Sequence, residues 1–307
     1  MIYNPIAGRR PAKREWEIRQ ASRVLRKAGI TAELAATTRP DMAQDLARQA
    51  AASDVDLVLV CGGDGTINEV INGLAPSEIP LGILPGGTAN ILARELRLPQ
   101  SVVGAARQLP RWPARRIALG RARWGGARSP EQSSNPAAHA ASRYYASVAG
   151  IGFDAHVVHK LSPQLKLGFG VAGYVMEAFR QLLLYPFPIF SCRLNGHEQQ
   201  GTFAVVHRTR LYAGWLHLAP SADLFAPRLT VCSFSSRSRG RYLVYALAVL
   251  ARRHLSLPDV QLEQGSQVVC TAGDSEATIR FELDGELVGA LPVTFDIVPD
   301  ALTLLVP

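Results

Sequence analysis

Apolar positions along the chain follow two different rhythms. Up to about Trp112, short β-branched or leucine-rich runs, Val55–Cys61 and Leu81–Pro85, alternate with stretches whose apolar residues recur every three or four positions. That spacing predicts helices over Trp16–Ala28, Met42–Ala52, Asn68–Leu74, Asn90–Leu96 and Val102–Gln108. Strands separated by helices predict a parallel sheet. From Arg115 onward short strand-like runs dominate: RRIALGRARW, RYYASVAGIGF, FPIFSCRLNG, GTFAVVHR, LTVCSF, ATIRFELDG and PVTFDIVP. This half reads as mostly antiparallel β, with helices over Leu165–Leu184 and Gly240–Arg253. The expected fold class is therefore α/β plus mostly β. An α/β domain built on that parallel sheet is expected over residues 1–114, and an antiparallel, β-sandwich-like domain over 115–307. The last strand is free to return to the first domain, and a cleft is expected between the two. Met1-Ile2-Tyr3 is short for a first strand, so either that strand is a stub or the true start lies upstream. Gly125–Ser142, rich in Gly, Ser, Pro and Ala, reads as a flexible loop.

Candidate chemistry gathers at the ends of the strand-like runs. DLVLVC empties into Gly62-Gly63-Asp64-Gly65-Thr66, followed by the helical INEVING. Gly62 and Gly63 permit positive φ and close backbone approach, and the helix start offers N–H groups and a partial positive charge to a phosphate. Asp64 would repel a bare phosphate, so the motif implies a Mg2+-nucleotide complex. A glycine pair after a strand is by itself also an ordinary βα turn. IPLGILP ends in a second such turn, Gly86-Gly87-Thr88-Ala89-Asn90, and Asn4-Pro5-Ile6-Ala7-Gly8 makes a third. All are expected on one carboxyl edge of the sheet, where open α/β sheets bind ligands. Arg9, Arg10 and Lys13 follow the third turn. Cations there oppose the helix dipole and suit a polyanion better than they suit the helix, with a solvated basic face as the alternative.

These blocks, in this order and spacing, resemble the catalytic domain of the diacylglycerol kinase and sphingosine kinase superfamily. The carriers are NPIAG, GGDGTINEVING and PLGILPGGTANILARELRLP, joined by ASVAGIGFDAHVV (146–158), LYAGWLHLAPSADL (211–224) and ELDGELVGALPVTF (282–295). The chain is most similar to the bacterial soluble lipid kinases, and the resemblance spans nearly all of it. It implies an ATP- and Mg2+-dependent transfer to a lipid hydroxyl, with residues 1–114 as the nucleotide-binding domain and 115–307 as the lipid-substrate domain. Asn4, Pro5, Gly8, Arg9, Gly62, Gly63, Gly65, Thr66, Gly87, Thr88 and Asn90 would hold the nucleotide, and Asp64 would act on Mg2+. Asp284 would be the base, facing the cleft, with Glu286 in its supporting acidic network. Asp284-Gly285-Glu286 alone is equally a type I′ hairpin turn. Relatives usually carry Asp where this chain has Ile91, Asp-Gly where it has Ala226-Pro227, an acid where it has Thr230, and Asn-Gly where it has Arg208-Thr209. Asp223 remains, so an accessory Mg2+ site is incomplete. Three readings stay open: a lipid kinase, a nicotinamide-dinucleotide kinase, and a catalytically silent lipid- or nucleotide-binding protein.

Composition changes this picture in one respect. With 48% hydrophobic and 19% charged residues the chain is an ordinary globular one, but its net charge of +8 favours polyanionic partners. No zinc-finger, RRM or helix-turn-helix signature points to nucleic acid, so an anionic membrane surface is the expected partner. Genomic composition is the alternative source of the arginine surplus. The longest apolar run, Tyr242–Ala251, is too short to span a bilayer, and MIYNPIAGRR has no secretory h-region. A cytoplasmic protein with peripheral membrane association is expected, its oligomeric state open to a homo-oligomer. Cys61, Cys192, Cys232 and Cys270 have no metal-binding spacing and suit a reducing compartment. KLGFGVAGYVMEAFRQLLLYPFPIF, with Trp215 and Leu216, reads either as the lining of an acyl-chain groove or as a buried core helix. His156, His207 and His217 are expected to be structural or on the surface.

Overall fold

The structure, a computed structural model, describes residues 1–8, 11–125, 141–160, 171–273 and 277–307. They form two compact units. One comprises Met1–Leu119, Ala213–Trp215 and Pro299–Pro307, the other Gly120–Tyr212 and Leu216–Val298. The division thus falls at Leu119/Gly120, inside the strand Ala114–Trp124, rather than at 114/115. The chain end from Pro299 belongs with the first unit.

The first unit is built on parallel strands in the order Ala35–Ala36, Ile2–Tyr3, Val58–Gly62, Pro80–Pro85, with Thr303 and Leu304 of the long strand Val293–Leu305 beside Pro80 and Leu81. Val58–Gly62 is buried along its whole length, as expected of a β-branched run covered on both faces. The first strand is a two-residue stub whose surroundings are nevertheless paired: Asn4 N–H donates to the Cys61 carbonyl, and Thr37 N–H to that of Tyr3. Helices Arg14–Lys27, Met42–Ala51, Asp64–Leu74, Ile91–Glu95 and Val102–Gln108 follow the strands. The third begins four residues earlier than its apolar spacing suggests, because the glycine-rich turn itself supplies its first residues. Gly73 lets this helix approach Met42–Ala51, since a Cβ there would collide with the Gln44 carbonyl and lie 2.6 Å from Ala47 Cβ.

The second unit is a β-sandwich flanked by helices. One antiparallel sheet has the order Val260–Gly265, Leu229–Phe234, Phe203–His207, Val148–Gly152, Arg280–Leu283, Glu286–Ala290. Facing it are Gln267–Ala272, Phe190–Leu194 and His197–Gly201 with the first half of Val293–Leu305. Alternation sorts the side chains: Ala149, Ile151, Val206 and Phe281 meet Val268, Cys270 and Phe295 inside the sandwich, while Val148, Val205 and Cys232 face Leu182, Tyr242 and Tyr245 of the helices. Those helices include Phe153–Lys160, Val171–Leu184 and Arg239–Leu250. The buried-core reading of Val171–Leu184 does not hold, because Val175, Met176, Phe179, Leu183 and Leu184 are exposed. Residues 126–140 of the expected loop, residues 165–170 of the expected helix, and Arg9 and Arg10 lie outside the described residues. None of the described helices is long and apolar enough to cross a membrane.

Candidate active site

Three turns of the first unit emerge at one sheet edge, because register places Tyr3 beside Cys61 and Gly62 beside Pro85. Gly62 ends its strand and Gly63 caps the helix Asp64–Leu74 with φ −87° and ψ −176°. Neither glycine has the positive φ that the motif suggests. Their need is space: a Cβ on Gly62 would lie 2.6 Å from Thr66 Cβ, and one on Gly87 would collide with Gly63 Cα. At Gly8 both reasons apply, for φ is +78° and a Cβ would strike the Gly86 carbonyl oxygen.

Side chains from each turn brace the next. Asn4 accepts the Ile6 N–H at 3.0 Å through Oδ1 and donates to Thr66 Oγ1 at 3.4 Å. Asn90, held in the left-handed region at φ 49°, accepts the Gly87 N–H at 2.9 Å and donates to the Gly87 carbonyl at 3.1 Å. Asp64 Oδ1 accepts the Ile91 N–H at 2.7 Å, so the backbone of the residue that departs from the family pattern positions the carboxylate. Gly65 lies in the helix's first turn and Thr88 between the two halves of the Gly87–Asn90 clasp, while Pro5 sits in the Asn4–Ala7 turn. No side chain caps the Asp64 helix. A helix start is where backbone N–H groups and the helix dipole receive a phosphate.

Sequence reasoning missed Arg14. It is buried, and its guanidinium donates to the carbonyls of Ala7, at 3.1 Å, and of Gly86, and to Glu17 Oε2 at 2.8 Å. It thus ties the first turn to the last. Burial pushes the neighbouring Cys61 thiol up to about 12, against the opposing pull of Arg14. The available signal was a further cation at a helix N-terminus, one residue beyond those singled out.

In the second unit the turn Asp284-Gly285, with φ 49° and 86°, joins Arg280–Leu283 to Glu286–Ala290. It is the hairpin that its sequence allowed, and it is also buried. Asp284 Oδ2 accepts the Ala146 N–H at 2.9 Å, while Oδ1 accepts those of Ser147 at 2.9 Å and Val148 at 3.0 Å. Two further acids, Glu282 and Asp154, lie behind this turn. Glu282 accepts from Gly150 N–H at 2.7 Å and Gly285 N–H at 2.5 Å, and Tyr212 donates to Asp154 Oδ1 at 2.5 Å. Burial, and then the Asp154 charge hydrogen-bonded to it, hold the Glu282 carboxyl well above the usual range. Gly150 makes room for the pair, since a Cβ there would collide with Asp154 Oδ2. Glu286 instead pairs with Arg143 at 2.6 Å.

Two family patterns match this chain. The diacylglycerol kinase catalytic domain covers residues 1–122, and the YegS C-terminal NAD kinase beta sandwich-like domain covers 147–306. The chain belongs to the diacylglycerol kinase and sphingosine kinase superfamily and is a lipid kinase. The diacylglycerol kinase of Bacillus subtilis (strain 168) is 27% identical over 301 residues, 96% of this chain and 91% of that protein. That of Staphylococcus aureus (strain MRSA252) is 27% identical over 300 residues, 96% and 88% of the respective chains. A solved structure from Bacillus anthracis str. Sterne, described as a diacylglycerol kinase, superposes with a TM-score of 0.74 at 21% identity, covering 100% of this chain and 96% of that one, and so shares the fold.

Within this family's frame the first pattern spans all three glycine turns, and the second spans Asp154, Asp284 and Asp223. Asp223 is exposed and turned onto its own backbone, accepting the Phe225 N–H at 2.9 Å. Among the described residues no three His, Cys, Asp or Glu side chains gather to hold a metal. A nucleotide-borne Mg2+ asks for less, often one or two carboxylates beside the phosphates, and Asp64 in an uncapped first turn fits that demand. His207 is buried, hydrogen-bonded to the Thr209 carbonyl at 3.1 Å, and lowered to about 3 mainly by burial. His156 meets Gln181 Oε1 at 2.9 Å. Missing from the sequence reading were Asp154, Glu282 and Tyr212. Their signal was alternation: in ELDGE, Glu282 occupies a strand position whose neighbours are buried.

Proposed function

We propose that this protein is an ATP- and Mg2+-dependent lipid kinase that transfers the γ-phosphate to a hydroxyl of a lipid, diacylglycerol first and a sphingoid base second. The observation that carries the reading is the buried Asp284 carboxylate, oriented at its hairpin turn by three backbone N–H donors. A bound Mg2+ would neutralise the phosphate charge that builds up during transfer. Asp64 would hold it, directly or through water. The uncapped helix start and the Gly8, Gly63 and Gly87 turns would receive the phosphates, with Asn4, Asn90 and Thr66 holding those turns in shape. Arg9, outside the described residues, is proposed as a further phosphate contact. The acceptor oxygen attacks the γ-phosphorus, its proton passes to Asp284, and ADP leaves. Glu286, paired with Arg143, would act on Asp284 only through the hairpin that they share. An accessory metal at Asp223 would need ligands from outside the described residues.

The net charge of +8 supports a peripheral protein acting on lipid at the cytoplasmic face of an anionic membrane. A nicotinamide-dinucleotide kinase is the second reading, favoured by the description of the C-terminal pattern. One assay separates them: radiolabelled ATP with Mg2+ over a panel of diacylglycerol, sphingoid base, phosphatidylglycerol, ceramide and NAD. Label in a lipid phosphate is expected, and Asp64→Ala should lower it by ~10² to 10³ in a protein that still folds. Label in NAD alone would install the second reading. Mg-ATP binding without transfer to any acceptor would make the chain a silent binder.

A further inference from the structure

From residue 175 on, the helix Val171–Leu184 turns two polar side chains inward and apolar ones outward, Leu182 excepted. Glu177 and Gln181, 3% and 4% exposed, point inward, where Gln181 donates to Glu177 at 2.5 Å and meets His156 at 2.9 Å. Val175, Phe179 and Leu183, spaced four residues apart, are 53%, 60% and 58% exposed. An amphipathic helix in water does the opposite. Burying a carboxylate while exposing an apolar row is costly on both counts unless the outer face meets something other than water.

The helix Arg239–Leu250 packs against it and repeats the pattern. Tyr242, Tyr245 and Val249 are buried, whereas Leu243, Val244, Leu247 and Leu250 form an exposed row, Leu247 at 67%. The helix contains no acid, and exposed Arg237 and Arg239 stand at its N-terminus, Arg252 and Arg253 just past its end. Arg241 is accounted for by a two-bond pair with Asp259 at 2.7 Å. The arginines at the N-terminus oppose the helix dipole, so their placement serves something outside the helix. An apolar row bracketed by arginines is the pattern of a helix lying in a membrane interface, its leucines among the acyl chains and its cations at anionic headgroups.

We propose that the outward faces of these two helices dock the protein on an anionic lipid bilayer. This rests on the lipid-kinase reading, since a bilayer is where such an acceptor resides, and it commits to the bilayer rather than to a second copy of the chain. Each arginine at an anionic surface is expected to contribute roughly fivefold in partitioning.

The test uses the full chain with vesicles of phosphatidylglycerol and phosphatidylcholine in equal parts. Wild type should sediment with them, bind phosphatidylcholine alone far less, and release as salt is added. The triple variant L243Q/L247Q/L250Q should bind at least about tenfold more weakly, keep its thermal midpoint, and phosphorylate a short-chain, water-dispersed diacylglycerol at the wild-type rate. R237Q/R239Q/R252Q/R253Q should lose the preference for anionic vesicles. Should the triple variant unfold, Leu247→Gln alone carries the measurement. Unchanged vesicle binding in a folded variant overturns the proposal. So does a wild-type dimer, seen by light scattering, that becomes monomeric in the triple variant without loss of vesicle binding. Failure of the lipid-kinase reading shows elsewhere, as a wild type that phosphorylates no dispersed lipid whatever its vesicle binding.

Discussion

Two hairpins of the second unit turn on near-isosteric pairs, one Asn-Gly and the other Asp-Gly. Asn195-Gly196 joins Phe190–Leu194 to His197–Gly201 with φ 51° and 83°, and Asp284-Gly285 joins Arg280–Leu283 to Glu286–Ala290 with φ 49° and 86°. Both backbones are what a type I′ turn demands. Asn195 is exposed and reaches only the Gln264 carbonyl, at 2.7 Å. Asp284 is buried, and its carboxylate collects three N–H groups from Ala146, Ser147 and Val148. The difference comes from a neighbour: Val148–Gly152 runs beside Arg280–Leu283, with Ala149 opposite Leu283, and the chain entering that strand aims its donors at the turn. A turn's own residues set its backbone, and the strand laid beside it sets its chemistry.

The sharpest way to break this contrast is Asp284→Asn. If Asp284 is the base, kcat should fall by about 10² to 10⁴ with ATP binding retained. The amide would also turn an NH2 toward one of the three backbone donors, costing roughly 1 to 3 kcal/mol of stability in denaturant unfolding. Loss of ATP affinity with kcat unaltered would move Asp284 to the nucleotide.

A smaller effect concerns the acid pair behind that hairpin. The folded Glu282 carboxyl is raised above its ordinary 4.5, so its contribution to stability is full below that pH. It is lost as pH rises toward the folded value, with a slope of at most about 1.4 kcal/mol per pH unit. Asp154→Asn keeps an acceptor for Tyr212 and a donor for Glu282 while removing the second largest cause of the shift. Burial, the largest, remains. Unfolding curves between pH 5 and 9 should therefore show the decline ending at lower pH in the variant, and identical profiles would dissolve the pair. The smallest effect belongs to the exposed hairpin, where Asn195→Asp should change stability by no more than ~1 kcal/mol and leave turnover alone. A larger loss would mean that the two turns are less different than their burial implies.

Local grammar made much of the first unit legible. A strand, a glycine turn and a helix are contiguous in GGDGTINEVING and again in PGGTANILARE, and parallel pairing then brings both turns to one edge. What stayed hidden was the reason for the glycines: Gly63 and Gly87 are needed because two turns distant in the chain touch, not because either has positive φ. Arg14 escaped for the same reason, since its acceptors at Ala7 and Gly86 belong to two separate turns. Val171–Leu184 shows the limit of periodicity. Its composition is apolar nearly all round, and which side faces out was decided by the pairing of Glu177 and Gln181 with His156.

The amino-acid sequence by itself determined the two-part fold class, the family, the three glycine turns and the hairpin at Asp284-Gly285, because each depends on residues within a few positions of one another. Tertiary structure alone decided that Asp284 is the turn held by three donors, that burial and the charge of Asp154, 128 residues away by numbering, raise the Glu282 carboxyl, and that the leucines of two helices face outward. Burial and the charges set beside a residue are properties of what the chain brings alongside it, and no neighbouring position in the sequence carries them.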